Sequence, residues 1–164
     1  MIEQKKFQDL INEHAAILNK VCRLYTDTEE DFDDYYQEIA IQLWKSYAKF
    51  RGDSKLSTWV YQVAINTCLS QLRKKKRRPE ATPIDGLFDL AEPENDHIKD
   101  ERLGALYQAI KRLKEIDRAL ILLYLEDKSY KEITEILGLS MSNVGVKINR
   151  VKTQLKQMIN GNGK

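Results

Sequence analysis

The chain has 164 residues, which is enough for one ordinary domain or two small ones and too few for a large barrel. Hydrophobic residues at 42% and charged residues at 32% exclude a wholly disordered chain, and the apolar runs are too short to span a bilayer. The net charge of +2, taken alone, gives no indication of a nucleic-acid partner.

The charge is unevenly distributed along the chain. The net charge by segment is −4 for residues 1–50, +7 for residues 51–78, −6 for residues 79–102 and +5 for residues 103–164. The +7 segment ends in six consecutive cations, from Arg73 to Arg78. Such a run repels itself and attracts polyanions.

All three prolines lie in the acidic segment, at Pro79, Pro83 and Pro93. Helices end at or before such residues. We therefore predict a linker over residues 79–96, with a short apolar anchor at Ile84, Leu87, Phe88 and Leu90. This divides the chain into domains at residues 1–78 and 97–160, each of them marginally stable alone because of its size.

Apolar residues recur at steps of three and four, which is the helical period, and we find no convincing strand alternation. Before the linker this pattern predicts three helices, from Phe7 to Tyr25, from Phe32 to Tyr47 and from Trp59 to Leu72. Thr28 and the acidic residues after it are a good start for the second helix. The third helix follows Ser57 and Thr58.

After the linker the same period predicts four helices, from Ile98 to Leu113, from Ile116 to Leu125, from Ser129 to Leu137 and from about Ser140 to Met158. Ser129 and Glu132 have capping-box spacing, and Gly138 is a natural left-handed C-cap. The predicted fold is all-α: two small helical domains joined by a proline-containing acidic linker, the second ending in a helix-turn-helix.

The last two predicted helices have helix-turn-helix spacing. Gly138 allows a sharp turn, and Leu139, Val144 and Ile148 would hold the second helix against the first. The outward face of the second helix offers groups that suit base edges and phosphates. Its residues are Ser142, Asn143, Val146, Lys147, Asn149, Arg150 and Lys152. The alternative is a plain helical hairpin with a solvated basic face.

A polar loop from Phe50 to Lys55 precedes Trp59, Asn66 and the basic run. A loop with glycine, hydroxyl and amide groups, backed by cations, could hold an extruded base. On these residues alone, a helix connection with a core tryptophan and a solvated basic tail is the better interpretation.

The sequence contains no catalytic motif. No glycine-rich phosphate loop, nucleophile elbow or metalloprotease motif is present. His14 and His97 have no partners for a zinc site. Cys22 and Cys68 occupy core-like positions with no other cysteine or histidine nearby, so we expect reduced core residues. We expect no enzymatic activity, no cofactor, no metal and no small-molecule substrate.

Together, these segments resemble the extracytoplasmic-function group of the sigma-70 family, the specificity subunits of bacterial RNA polymerase. In the first domain the resemblance is carried by Asp34-Tyr35-Tyr36-Gln37-Glu38, Trp44, Phe50-Arg51-Gly52-Asp53-Ser54, Thr58-Trp59-Val60, Ala64-Ile65-Asn66 and Arg73-Lys74. In the second it is carried by Leu113 to Arg118, Tyr130 to Ile133, Ile136 to Ser140, Val144 and Lys147 to Arg150. The combination is specific because both sets occur in the family's order and spacing.

The resemblance implies a sigma factor that binds core RNA polymerase and directs promoter recognition, melting of the −10 element and transcription initiation. Residues 1–78 would be sigma domain two and residues 97–160 sigma domain four. Asp34, Gln37 and Glu38 would dock on the clamp helices of the largest polymerase subunit. The linker would thread toward the active-site channel, where its acidic residues would mimic nucleic acid.

The resemblance also implies two DNA contacts. A flipped base of the single-stranded −10 element would be captured by the polar loop with Asn66 behind it, and nearby phosphates would be held by Lys55, Arg73 and Lys74. The full −10 set is Phe50, Arg51, Gly52, Asp53, Ser54, Lys55, Asn66, Arg73 and Lys74. The last helix would enter the major groove of the duplex −35 element.

Family members are commonly held inactive by an anti-sigma factor, so the resemblance implies such a partner. It also implies a cytoplasmic protein without membrane insertion, and the first six residues lack the apolar core of a signal peptide. Three residues depart from the family pattern: Gly145 where a cation is usual, Thr134 where alanine is preferred, and Lys114 in place of a common proline.

Two other functions remain open on the sequence. A stand-alone helix-turn-helix regulator would explain the second domain, although it leaves the polar loop and the acidic helix unused. A helical adaptor that does not bind DNA would show no salt-dependent affinity for DNA.

Overall fold

The computed structural model describes residues 2–77 and 101–161, with side chains described for residues 3–77 and 104–161. The predicted linker and its apolar anchor lie outside the described residues, as does Ile98. The chain divides into two compact units, Met1–Asp89 and Leu90–Lys164. Every regular element in the described residues is a helix, which confirms the all-α prediction.

The described part of the first unit consists of helices α1 (Ile2–Glu13), α2 (Ala15–Tyr25), α3 (Glu29–Tyr47) and α4 (Leu56–Lys76). The prediction of a single helix from Phe7 to Tyr25 was wrong. The chain breaks at His14, where φ is −111° and ψ is 16°, and the ring Nδ1 lies 2.8 Å from the carbonyl oxygen of Leu10. The break is hidden in the sequence because the apolar spacing continues across it.

The ends of the long helices follow capping chemistry only in part. The Thr28 hydroxyl accepts a 3.0 Å hydrogen bond from the Asp31 amide, so the predicted N-cap of α3 is confirmed. Helix α4 begins earlier than predicted, with Lys55 at its N-cap and no side-chain cap. Thr58 is only 2% exposed, so this hydroxyl residue belongs to the interior rather than to a cap.

The core of the first unit lies where α2, α3 and α4 pack against one another, with α1 on α2 and α3. Its innermost side chains are Leu18, Val21, Ile39, Leu43, Val60 and Ile65. Burial of each such side chain stabilises the fold by about 1.5–3 kcal/mol. On the outside, the rings of Phe7 and Trp44 meet edge to face with centroids 5.0 Å apart, so α1 is fixed to α3 by an aromatic contact.

Cys22 of α2 and Cys68 of α4 are buried free thiols in this core. Their side chains face each other: a side-chain hydrogen bond with Cys22, together with burial, raises the pKa of the Cys68 thiol above its ordinary value. The expectation of reduced core residues is confirmed, and the packing of α2 on α4 also brings the two thiols together. No local sequence pattern predicts the contact between the two thiols, because the two residues are far apart in the sequence and meet only through helix packing.

The described part of the second unit consists of helices α5 (Glu101–Lys111), α6 (Glu115–Leu125), α7 (Tyr130–Leu137) and α8 (Met141–Gly161). Helix α8 is central, in contact with α5, α6 and α7. The core is built by Leu120 and Leu123 of α6, Ile133 and Ile136 of α7, and Val144, Ile148 and Val151 of α8.

Two of the unusual residues fit the backbone of the second unit. Lys114 is the N-cap of α6 with φ −58° and ψ 153°, a conformation that proline would also adopt, so the turn survives the replacement. Thr134 satisfies its hydroxyl locally, with a 2.6 Å hydrogen bond to the Lys131 carbonyl. None of the described helices combines the length and apolar content that crossing a bilayer requires.

Candidate nucleic-acid interface

The turn between α7 and α8 has the geometry that the sequence predicted. Ser129 and Glu132 form a capping box, with Ser129 Oγ accepting from the Glu132 amide at 3.1 Å and Glu132 Oε1 accepting from the Ser129 amide at 3.2 Å. Gly138 ends α7 in the left-handed region, at φ 72° and ψ 23°. Ser140 then accepts from the Asn143 amide at 3.2 Å, which fixes the start of α8.

Helix α8 separates a buried stripe from an outward face. Val144, Ile148, Val151 and Leu155 are buried against the other helices. The predicted −35 residues lie away from this stripe: Ser142, Asn143, Val146, Asn149, Arg150 and Lys152 are exposed, and Lys147 is half-buried at its edge. The helix therefore presents amide, hydroxyl and cationic groups on one accessible surface.

Lys152 is held by a partner that the sequence analysis missed. Its ammonium lies 5.1 Å from the centroid of the Tyr124 ring, and Nζ donates a 3.3 Å hydrogen bond to the Tyr124 hydroxyl. The aromatic face attracts the cation and limits its freedom. Only the packing of α6 on α8 brings the two residues together, so no motif of the sequence could have identified Tyr124.

In the first unit, the polar loop between α3 and α4 is anchored by aromatic rings. Phe50 and Trp59 lie with centroids 5.0 Å apart and ring planes inclined by 37°. Gly52 adopts φ 78°, which side chains rarely tolerate, and so turns the loop. The loop residues around it, Arg51, Asp53 and Lys55, are exposed.

Helix α4 carries Asn66 and Arg73 on the same face as Trp59. These three residues are spaced by seven, about two helical turns, so their side chains project in one direction. Asn66 and Arg73 are exposed, and Trp59 is half-buried under the loop. An aromatic surface, an amide and a cation therefore follow one another along α4.

The predicted polymerase-binding residues lie in a groove between α3 and α4. Asp34, Gln37 and Glu38 line a space of about 510 Å³, closed on the α4 side by Gln71, Lys74 and Lys75. We call this space the α3–α4 groove. The structure thus brings the three predicted residues together in one groove. Lys74, which was predicted to contact DNA, lines the same groove.

The α3–α4 groove carries both signs of charge. Lys75 Nζ forms a 3.0 Å ion pair with Asp31 at one end. Burial is the main cause that raises the pKa of the Tyr35 phenol in its wall, so this phenol stays protonated to a higher pH than an exposed tyrosine. Part of the basic run therefore lies beside carboxylates of the same unit, although Lys74 and Lys75 stay exposed to solvent.

Comparison with known proteins assigns the family. Residues 10–78 match the model described as sigma-70 region 2, and residues 103–155 match the model described as sigma-70, region 4. An extracytoplasmic-function RNA polymerase sigma-E factor of Haemophilus influenzae is 30% identical, over 96% of this chain and 89% of that protein. The chain belongs to the extracytoplasmic-function group of the sigma-70 family.

A second relative agrees with this assignment, and two solved structures share the fold. The RNA polymerase sigma-H factor of Pseudomonas aeruginosa is 30% identical over 87% of this chain and 80% of that protein. The sigma factor RpoE of Bartonella quintana, solved with the anti-sigma factor NepR, has the same fold with a TM-score of 0.76 at 20% identity, over 95% of this chain and 98% of that one. CnrH, solved with the cytosolic domain of CnrY, gives a TM-score of 0.68 at 20% identity over 96% and 90% of the two chains.

Proposed function

We propose that this sigma-70 family member binds core RNA polymerase, recognises promoter DNA and directs transcription initiation. The observation that carries the proposal is the presence of both family regions in one chain, each with an accessible surface suited to its partner. The protein acts by binding and strand capture rather than by catalysis. Its place of action is the cytoplasm, where polymerase and the chromosome are found.

The second unit recognises the duplex −35 element. Helix α8 enters the major groove with its outward face, where Asn149 reads a base edge and Arg150 and Lys152 neutralise phosphates. The exposure of these side chains and the fixed start of α8 support this role. Tyr124 contributes by holding Lys152 at the edge of the face.

The first unit captures a flipped base of the single-stranded −10 element. The rings of Phe50 and Trp59 support the loop that forms the pocket, and Asn66 offers an amide for the base edge. Stacking of a base on an aromatic side chain contributes about 1–3 kcal/mol. Arg73 lies one heptad beyond Asn66, so it holds the adjoining phosphate.

Core polymerase binds at the α3–α4 groove. Asp34, Gln37 and Glu38 offer acceptors for cations and amides of the clamp helices, and Lys74 offers a cation in the same groove. We therefore assign Lys74 to the polymerase surface and leave Arg73 as the phosphate contact of the basic run. The exposed carboxylates on α3 support this division of the two faces.

An anti-sigma factor is the proposed regulator. The sigma factor RpoE, which has the same fold, was solved with the anti-sigma factor NepR, and CnrH, also with this fold, was solved with the cytosolic domain of CnrY. An inhibitor that covers the α3–α4 groove would prevent polymerase binding. Mixed charge in the groove gives such a partner a specific surface to complement.

A pull-down with purified core RNA polymerase tests the proposal. The tagged protein should retain the core subunits, and Asp34→Asn with Glu38→Gln should lower retention several-fold because two acceptors of the groove lose their charge. Asp33→Asn is the matched control, since Asp33 is exposed beside Asp34 but does not line the groove. Absence of core subunits from the wild-type pull-down would overturn the proposal.

Two measurements separate the alternatives. A stand-alone regulator that reads half-sites would sediment as a dimer, whereas the sigma proposal predicts a monomer that joins core polymerase. A helical adaptor would show no salt-dependent binding to DNA, whereas phosphate contacts by α8 predict binding whose affinity falls steeply as salt rises.

A further inference from the structure

Val146 is an apolar side chain at the centre of a polar recognition face. At about 100° per residue, it lies almost opposite Val144 and the buried stripe of α8. Ser142, Asn149 and Arg150 are its exposed neighbours on the same face. Val146 is 57% exposed, the highest value among the exposed large hydrophobic residues of the described chain.

An exposed valine on this face would be matched best by an apolar group in the DNA groove. The base edges of the major groove present donors and acceptors, together with the C5 methyl group of thymine. Burying apolar surface is favourable, whereas a donor or acceptor set against valine would be left unpaired. Valine also has a restricted χ1 in a helix, so the contact costs little conformational entropy.

We propose that Val146 makes the −35 reading of this protein dependent on a thymine methyl group. The inference rests on the proposed function and specifies its chemistry: the preferred −35 element contains a thymine under the first two turns of α8, and Val146 distinguishes it from the other bases. Asn149 and Arg150 supply the hydrogen bonds on either side of this contact.

Thymine-to-uracil substitution tests the proposal, because it removes the methyl group and leaves the base-pairing edge unchanged. Promoter duplexes carrying one uracil at each −35 thymine in turn are bound to holoenzyme made from core polymerase and the full chain. Wild-type protein should lose about four-fold in affinity at one position, the equivalent of one buried methyl group. Val146→Ala should bind thymine and uracil promoters equally.

Ile159→Ala is the matched control. Ile159 is also an exposed aliphatic residue of α8 but lies about 20 Å further along the helix, so its loss should leave the discrimination unchanged. Val146→Ala does not endanger folding, because alanine is the better helix former at an exposed position. Val146→Thr keeps one methyl branch and should retain part of the preference.

The proposal is overturned if wild-type holoenzyme binds all uracil promoters as tightly as thymine promoters. It is also overturned if Val146→Ala keeps the full discrimination, or weakens every promoter equally, as loss of a protein partner's contact would. Each of these results leaves the proposed function intact, because the holoenzyme still binds the promoter. Failure of the wild-type chain to form a promoter complex would overturn the proposed function itself.

Discussion

Two glycines of the second unit differ in whether their backbone conformation would tolerate a side chain. Gly138 has φ 72° at the end of α7, in a region where a β-carbon is strained. Gly145 lies inside α8, and a β-carbon there would meet only Tyr130 Cε2 at 3.6 Å, an ordinary van der Waals contact. The β-carbon of the family's usual cation could therefore be accommodated at this position without a clash.

Alanine substitutions should separate these two glycines. Gly145→Ala should stabilise the protein by about 0.5–1 kcal/mol through helix propensity. Gly138→Ala should destabilise it by about 1–2 kcal/mol, because alanine would be forced into the left-handed region. Urea unfolding of both variants measures the two free energies, and a destabilised Gly145→Ala protein would contradict the account.

Asn149 and Lys152 are expected to act differently on DNA. Asn149→Ala should change the preferred −35 sequence, because under the proposed function its amide reads a base edge. Lys152→Ala should weaken binding to all promoters alike and lower the slope of log affinity against log salt by about 1. Equal effects of both changes on every promoter would refute the role of Asn149 as a base reader.

Cys68 should give the first unit a pH-dependent stability. Because its folded pKa is raised, the unfolded chain loses this proton first as the pH rises. The stabilising contribution is fully present below the unfolded pKa of about 8.5 and declines above it, by about 1.4 kcal/mol per pH unit.

Denaturant unfolding of wild type and Cys68→Ala at pH 7, 9 and 10 checks this expectation. The stability difference between the two proteins should shrink as the pH rises, because alanine cannot ionise in either state. A difference that stays constant or widens over this range would show that burial of the thiol does not oppose its ionisation.

At the scale of elements, α4 has two distinct polar faces, one beside the polar loop and one that lines the α3–α4 groove. Trp59, Asn66 and Arg73 follow one side of the helix, while Gln71, Lys74 and Lys75 face α3 across the groove. Under the proposed function, consecutive cations of the basic run serve different partners, since neighbouring residues of a helix point about 100° apart.

The adjacent residues Arg73 and Lys74 offer a direct comparison. Arg73→Ala should reduce promoter opening while leaving core polymerase binding unchanged, because a phosphate contact is lost. Lys74→Ala should reduce polymerase binding itself. Permanganate footprinting of the −10 region and titration of labelled core polymerase measure the two effects, and a reversed pattern would contradict the assignment of faces.

The sequence predicted those elements whose ends depend on local chemistry. Thr28, Ser129 and Gly138 each mark a helix end through their own hydrogen bonds or φ angle, so their positions could be predicted without tertiary information. The break at His14 could not be predicted, because no proline or glycine marks it.

Contacts between helices could not be predicted from the sequence, for a different reason. Tyr124 with Lys152 and Cys22 with Cys68 meet through packing of segments that are distant along the chain. The outward residues of α8 were predictable, since the buried period alone determines which side chains point away from the core.

At the scale of the whole chain, the net charge of +2 is a cancellation between surfaces with different partners. The segment of residues 1–50 is acidic and includes the carboxylates of the α3–α4 groove, whereas the segments of residues 51–78 and 103–164 are basic. Under the proposed function the acidic surface meets polymerase together with Lys74, and the two basic segments otherwise meet DNA. A small total charge is therefore compatible with strong, localised attraction to nucleic acid.

In vitro transcription on genomic DNA fragments tests the central claim most directly. Core polymerase with and without the full chain would be compared by sequencing the 5′ ends of the transcripts. We expect a discrete set of start sites that appear only with the protein and share one −35 and one −10 element. Identical start sites and rates with core polymerase alone would contradict it.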